Sequence, residues 1–135
     1  MKKVFLTIFL IIFIILQSKS QIKLTVEISN LDNNLGVVFF ELRDGKDKFV
    51  KGISAKISDK KCIITIDSLK VGEYSFKYFH DENLNEEIDK YWIGIPYEGF
   101  GFSNNAKVIF GPPSFEDTIF KISEDTYLIC EPLYY

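Results

Sequence analysis

"IKLTVEIS", Ile22–Ser29, alternates apolar and polar residues with period two, so that Ile22, Leu24, Val26 and Ile28 fall on one face. Successive side chains of an extended strand point to opposite sides, and this spacing predicts a strand buried on one face only. Seven further stretches repeat the theme: "GVVFFELR" (36–43), "ISAKIS" (53–58), "CIITID" (62–67), "EYSFKYF" (73–79), "AKVIF" (106–110), "TIFKIS" (118–123) and "TYLIC" (126–130). They are rich in β-branched and aromatic residues and are separated by clusters of Asn, Asp, Gly or Pro. About eight short strands without a helical period predict an all-β fold, an antiparallel β-sandwich. Thirteen Phe, seven Tyr and one Trp supply rings to fill the space between two sheets, and Phe39, Phe76 and Tyr78 are expected in that core.

Upstream of the first strand, "MKKVFLTIFLIIFIILQSKSQ" has the order of a secretory signal. Lys2 and Lys3 precede an apolar run from Val4 to Leu16 broken only by Thr7, and Ser18 and Ser20 supply the small residues of a cleavage site before Gln21. A bilayer-spanning helix needs roughly 20 apolar residues, and this run is shorter. The expectation is therefore a signal peptide over 1–20, one domain over 21–135, no membrane span in the mature chain, and a place in the periplasm, at the outer surface or outside the cell. Residues 1–20 hold three lysines and no acid, so the 16 basic residues fall to 13 against 19 acidic ones, a net charge of about −6. That sign repels phosphate backbones and argues against nucleic acid as a partner.

Two cysteines, Cys62 and Cys130, sit in a chain bound for a compartment that permits disulfides. Cys62 shares the phase of Ile64 and Ile66, whereas Cys130 is out of phase with Tyr127 and Ile129. The expectation is two unpaired, partly buried thiols.

The strand rhythm breaks between Asp81 and Ser114, a stretch holding three of the four prolines, within which only "AKVIF" reads as a strand. Long irregular connections in compact domains are uncommon and often functional. At its start, "HDENLNEEID" (80–89) places Asp81, Asn83, Asn85, Glu87 and Asp89 at alternate positions. Hard cations such as Ca²⁺ take six to eight oxygen ligands, and a loop offering oxygens at alternate residues can wrap one. With Asp81 as position 1, Asn83, Asn85, Glu87 and Asp89 fill positions 3, 5, 7 and 9, and Ile88 is the apolar anchor at 8. Position 6 is Glu86 where glycine is favoured, and position 12 is Trp92 where a bidentate glutamate is expected; Glu98 is the candidate to supply the missing oxygen. The competing reading is a metal-free turn in which Asp and Asn bond their own backbone.

The chain resembles the exported bacterial family catalogued as domain of unknown function 2141. The likeness is carried by Leu69, Gly72 and Tyr74 in "LKVGEYSF", by "HDEN" with Asn85 and Asp89, by "GIPYEGFGFSNN" (94–105) and by "GPPSF" (111–115). The resemblance implies an exported immunoglobulin- or prealbumin-like sandwich, similar also to collagen-adhesin B-type modules, with no established activity. Members resemble "HDENGNGKLD" at the loop, with glycine where Leu84 and Glu86 stand here, and tend to carry proline in place of Val71.

Tyr91, Trp92, Tyr97 and Phe100, with Phe102, cluster in the irregular region, where flat rings beside polar groups can stack on sugars or hold a peptide. Asn104 and Asn105 join them as candidate ligand contacts. The alternative is a local core beneath the loop, favoured for Trp92 and Phe102. "GFGFSNN" lacks the lysine and helix of a phosphate loop. The lone histidine, His80, must serve any imidazole chemistry, yet neighbouring Asp81 points to the opposite face of a strand. The functional expectation is a non-catalytic binding or structural module meeting a protein or glycan at the cell envelope, with Ca²⁺ as its candidate cofactor. A hydrolase using His80 and nearby carboxylates is the alternative.

Overall fold

The structure, a computed structural model, describes Met1 and residues 21–134. The signal-peptide reading lies outside the described residues. Eight strands are present among them: β1 (Ile22–Ile28), β2 (Val37–Asp44), β3 (Phe49–Lys56), β4 (Cys62–Leu69), β5 (Gly72–Asp81), β6 (Phe100–Phe102), β7 (Phe120–Ile122) and β8 (Thr126–Cys130). They form two sheets, one of three strands in the order β4-β1-β8 and one of five in the order β3-β2-β5-β6, with β7 also pairing β5. The result is an all-β sandwich.

The alternation in β1 does what its spacing predicts. Ile22, Leu24, Val26 and Ile28 are all buried, and they meet Val38, Phe40 and Leu42 of β2 and Tyr74, Phe76 and Tyr78 of β5 in one core. Because β1 is the central strand of its sheet, its row of four side chains sits in the middle of that core, where burial of each contributes about 2 kcal/mol.

Three features depart from the expected pattern. First, β8 pairs β1 in parallel, so the three-stranded sheet is mixed. Second, "AKVIF" is not a strand: Ile109 and Phe110 are exposed, and the edge of β5 is already taken by β7 at Gly72–Tyr74 and by β6 at Lys77–Phe79. The buried Ser103 hydroxyl fills the gap between those short strands, accepting from Phe76 N at 3.0 Å and donating to the Thr118 carbonyl at 2.5 Å. Third, Phe39 is not in the core. Phe76 and Tyr78 are buried there, but Phe39 faces outward beside Phe79, its ring stacked on that partner with centroids 5.4 Å apart.

Both cysteines are free and buried. The register explains why no bridge forms: Ile28 pairs with Cys62 on one side and with Cys130 on the other. The two cysteines are thus two strand spacings apart, roughly 9–10 Å between Cα atoms, against the 4.4–6.8 Å or so that a disulfide needs. Burial pushes both thiols up to about 11. An acid whose folded pKa is raised stabilises the fold below its unfolded value and loses that contribution as pH climbs toward the folded one. The urea midpoint should therefore fall as pH rises from 9.0 toward about 11, and a Cys62→Ala, Cys130→Ala pair should show a shallower decline. An equal decline in the pair would contradict the assignment to these thiols.

Candidate functional site

The strand β5 ends at Asp81, and the chain beyond it has no ladder to satisfy its backbone N–H groups until β6 begins at Phe100. Two buried acids supply the acceptors. Asp81 is 0% exposed, and its two carboxylate oxygens accept from Asn85 N at 3.2 Å and Glu86 N at 2.9 Å. Glu98 is 1% exposed, and its oxygens accept from Glu82 N at 2.9 Å and Asp89 N at 3.0 Å. Glu98 therefore ties both ends of the acidic loop together, and Asp81 ties down its middle.

The remaining polar side chains close the turn further. Asn83 Oδ1 accepts from Asn85 N at 3.1 Å, and Asn85 Oδ1 accepts from Glu87 N at 2.9 Å. The amide nitrogens of Asn83 and Asn85 both donate to the Asp89 carboxylate, at 2.5 and 3.0 Å. Leu84 and Glu86 adopt left-handed dihedrals, with φ of 62° and 64°. Glycine adopts such dihedrals freely, whereas here the turn keeps its shape at the cost of strain, about 1 kcal/mol for each side chain.

Of the six expected metal ligands, Asn83, Asn85 and Asp89 thus come together, Asp81 lies against the same turn, Glu98 supports the loop's base, and Glu87 takes part through its backbone N–H. The oxygens of Asp81 and Glu98 face peptide N–H groups, and those of Asp89 face side-chain amides. As arranged, the donor set meets N–H groups at each of these carboxylates and does not present a shell of open oxygens. Among the described residues no three His, Cys, Asp or Glu side chains form a metal-holding group.

From this base a small hairpin projects. Tyr97 N donates to the Asp89 carbonyl at 3.1 Å, Tyr91 N to the Ile95 carbonyl at 2.8 Å, and Gly94 N to the Tyr91 carbonyl at 2.8 Å. Tyr91 and Tyr97 lie together with ring centroids 5.3 Å apart. Trp92, expected beneath the loop, is instead 96% exposed at the tip, because the hairpin turns its apex away from the sandwich. Phe100 goes the other way: it is buried, in contact edge-on with Phe102. Asn104 and Asn105 bond within the fold through their side chains. Asn104 Nδ2 donates to the carbonyls of Asp117 and Ile119, and Asn105 Oδ1 accepts from Glu131 N.

His80 is fully enclosed on the core side of β5. Its Nε2 lies 2.7 Å from the Leu35 carbonyl, which only accepts, so that nitrogen carries the hydrogen; Nδ1 lies 3.9 Å from a Glu82 oxygen. The Leu35 segment reaches His80 because Gly36, at φ 66°, passes so close to the end of β5 that a Cβ there would overlap the Asp81 carbonyl.

A groove of about 580 Å³ on the outer face of the five-stranded sheet was missed by sequence reasoning. Phe39, Phe79 and Phe102 line it, and Glu86 and Ile88 of the acidic loop contribute to its wall. A signal was present: Val37-Val38-Phe39-Phe40 is apolar on both phases, which a strand open to water on one side does not require.

Asp81→Ala should lower the unfolding free energy in urea by about 3 kcal/mol, since two N–H groups lose a charged acceptor in a buried setting. Glu86→Gly, which keeps the N–H and removes the strained side chain, should raise it by about 1 kcal/mol. A neutral Asp81→Ala or a destabilising Glu86→Gly would contradict this geometry.

Neither a curated protein nor a solved structure matches the chain. A family model does match, over residues 26–129, which span β1 to β8. The chain belongs to the family described as "Uncharacterized protein conserved in bacteria (DUF2141)".

Proposed function

We propose that this chain is an exported, non-catalytic binding module of the cell envelope, and that the 89–97 hairpin is the part offered to a protein or glycan partner. The supporting observation is the pairing of a held base with a bare tip. Asp81 and Glu98 lock the foot of the hairpin, while Trp92, Ile93 and Tyr91 stand exposed at its end. Rings presented on a restrained element lose little freedom on binding, which favours stacking on a sugar face or an apolar side chain. The hydrolase alternative requires His80 to touch a substrate, and its ring is enclosed and turned toward Leu35.

A second reading, a calcium-stabilised loop, has one observation in its favour. The amides of Asn83 and Asn85 both already lie within hydrogen-bond distance of the Asp89 carboxylate. Rotation of the two amides would release their oxygens from the peptide N–H groups of Asn85 and Glu87 and turn them toward an ion beside the Asp89 carboxylate.

Two measurements test these readings. Trp92→Ala combined with Tyr97→Ala should abolish retention on whichever glycan or peptide array spot holds the parent chain, without changing its melting temperature. Undiminished retention would remove the hairpin from the account. For calcium, ion at 100 times its dissociation constant adds about 2.7 kcal/mol, and each kcal/mol moves a domain of this size by roughly 4 °C. A melting temperature unaltered between chelator and millimolar Ca²⁺ would end the second reading.

A further inference from the structure

Independently of the hairpin, we propose that copies of this chain associate head to tail, the β8 edge of one copy against the β4 edge of the next. β4 and β8 are the two outer strands of one sheet, with β1 between them. Each pairs β1 on one side, and among the described residues no strand pairs it on the other. An unpaired strand edge is a template for a further strand. Because β8 runs parallel to β1 and β4 antiparallel to it, a neighbour in the same orientation sets its β4 antiparallel to β8 and prolongs the sheet. Both edges also carry apolar side chains on the outer face. Ile63 of β4 and Ile129 of β8 flank Glu27 of β1 from either side, and they are 59% and 58% exposed.

Charge decides which edges can meet. Through the Ser58–Lys61 turn, β4 shares its side of the sandwich with β3, the outer strand of the other sheet. Lys46, Lys48, Lys51, Lys56 and Lys60, on β3 and its flanking turns, are exposed and in no ion pair among the described residues. Glu41 and Asp47 are matched by Arg43 and Lys77, Glu27 by Lys61, and Asp67 by Lys70 at the far end of β4. Asp44, beside Lys46 and Lys48, and Asp59 remain, so five lysines less two aspartates leave this side at +3. The β8 side is acidic. Glu124 and Asp125 precede the strand and Glu131 follows it, while bonds from Asn104 and Asn105 bring Glu116 and Asp117 alongside Glu131. Lys121 is matched by Glu73, and five acids less Lys23 and Lys107 leave this side at −3. Two β4 edges repel each other, as do two β8 edges, which disfavours a two-fold dimer through either. Opposite edges attract, and such a heterologous contact can repeat from copy to copy.

Sedimentation velocity of the folded protein tests this. Species larger than one chain should grow with concentration and be lost in about 1 M salt, where charges are screened beyond roughly 3 Å. Lys56→Glu with Lys60→Glu makes both edges acidic, and Glu124→Lys with Glu131→Lys makes both basic; all of these residues are exposed. Each double variant alone should sediment as a single chain. Mixed in equal amounts, the two should associate again, because the acidic β8 edge of one then meets the basic β4 edge of the other, and an unfolded variant would not restore this. A parent that stays a single chain at every concentration, association insensitive to salt, a double variant that associates as the parent does, or no association on mixing would each overturn the proposal.

Discussion

Two carboxylates taken out of water, Asp81 and Glu98, hold the irregular segment that follows β5. Each accepts from two backbone N–H groups of the segment between β5 and β6. Peptide N–H groups that lose contact with water need an acceptor, and a chain without a neighbouring strand must find one among side chains. Bonds to a charged acceptor are stronger than neutral ones, which offsets the cost of burying the acid. Four such bonds fix the irregular segment to the end of β5.

That anchorage has two consequences on different faces. Above the lock, the 89–97 hairpin stands clear of the sandwich and exposes its apex. Below it, the same loop brings Glu86 and Ile88 to the rim of the outer groove. Neither surface would have a defined shape if the loop sampled many conformations, because ordering it on contact would cost about 1 kcal/mol or more per residue. The strained dihedrals at Leu84 and Glu86 show that the lock is strong enough to impose a turn on side chains that disfavour it.

Much of the fold is legible in the sequence, and the physical reason is the period of the pattern. The strands β1, β4 and β5 have a clear alternation set by a buried face, and each appears where the alternation places it, whereas β2 and β8 are marked by their β-branched and aromatic content. "AKVIF" carries the right residues but no free edge to join, whereas the three-residue "FGF" that does join β5 is too short to leave a periodic signal. The parallel pairing of β8 with β1 is a property of the whole topology, which local pattern does not encode. At the site, the alternate acids and amides of 81–89 mark the loop correctly. Whether an oxygen meets a peptide N–H or an ion depends on where the backbone turns, and at Leu84 and Glu86 the only hint of a left-handed turn is the glycine expected at those positions, not the residues themselves. Trp92 and Phe100 exchange their expected places for a similar reason: a ring's burial in an irregular segment follows from the hairpin's direction and not from its own hydrophobicity.

The most direct test of the carboxylate lock is native-state amide hydrogen exchange of the folded protein. The N–H groups of Glu82, Asn85, Glu86 and Asp89 should exchange far more slowly than those of Trp92 and Ile93 at the hairpin apex, and Glu98→Gln should release Glu82 and Asp89 selectively. Exchange of all four at the rate of the apex amides would show that Asp81 and Glu98 do not hold the loop.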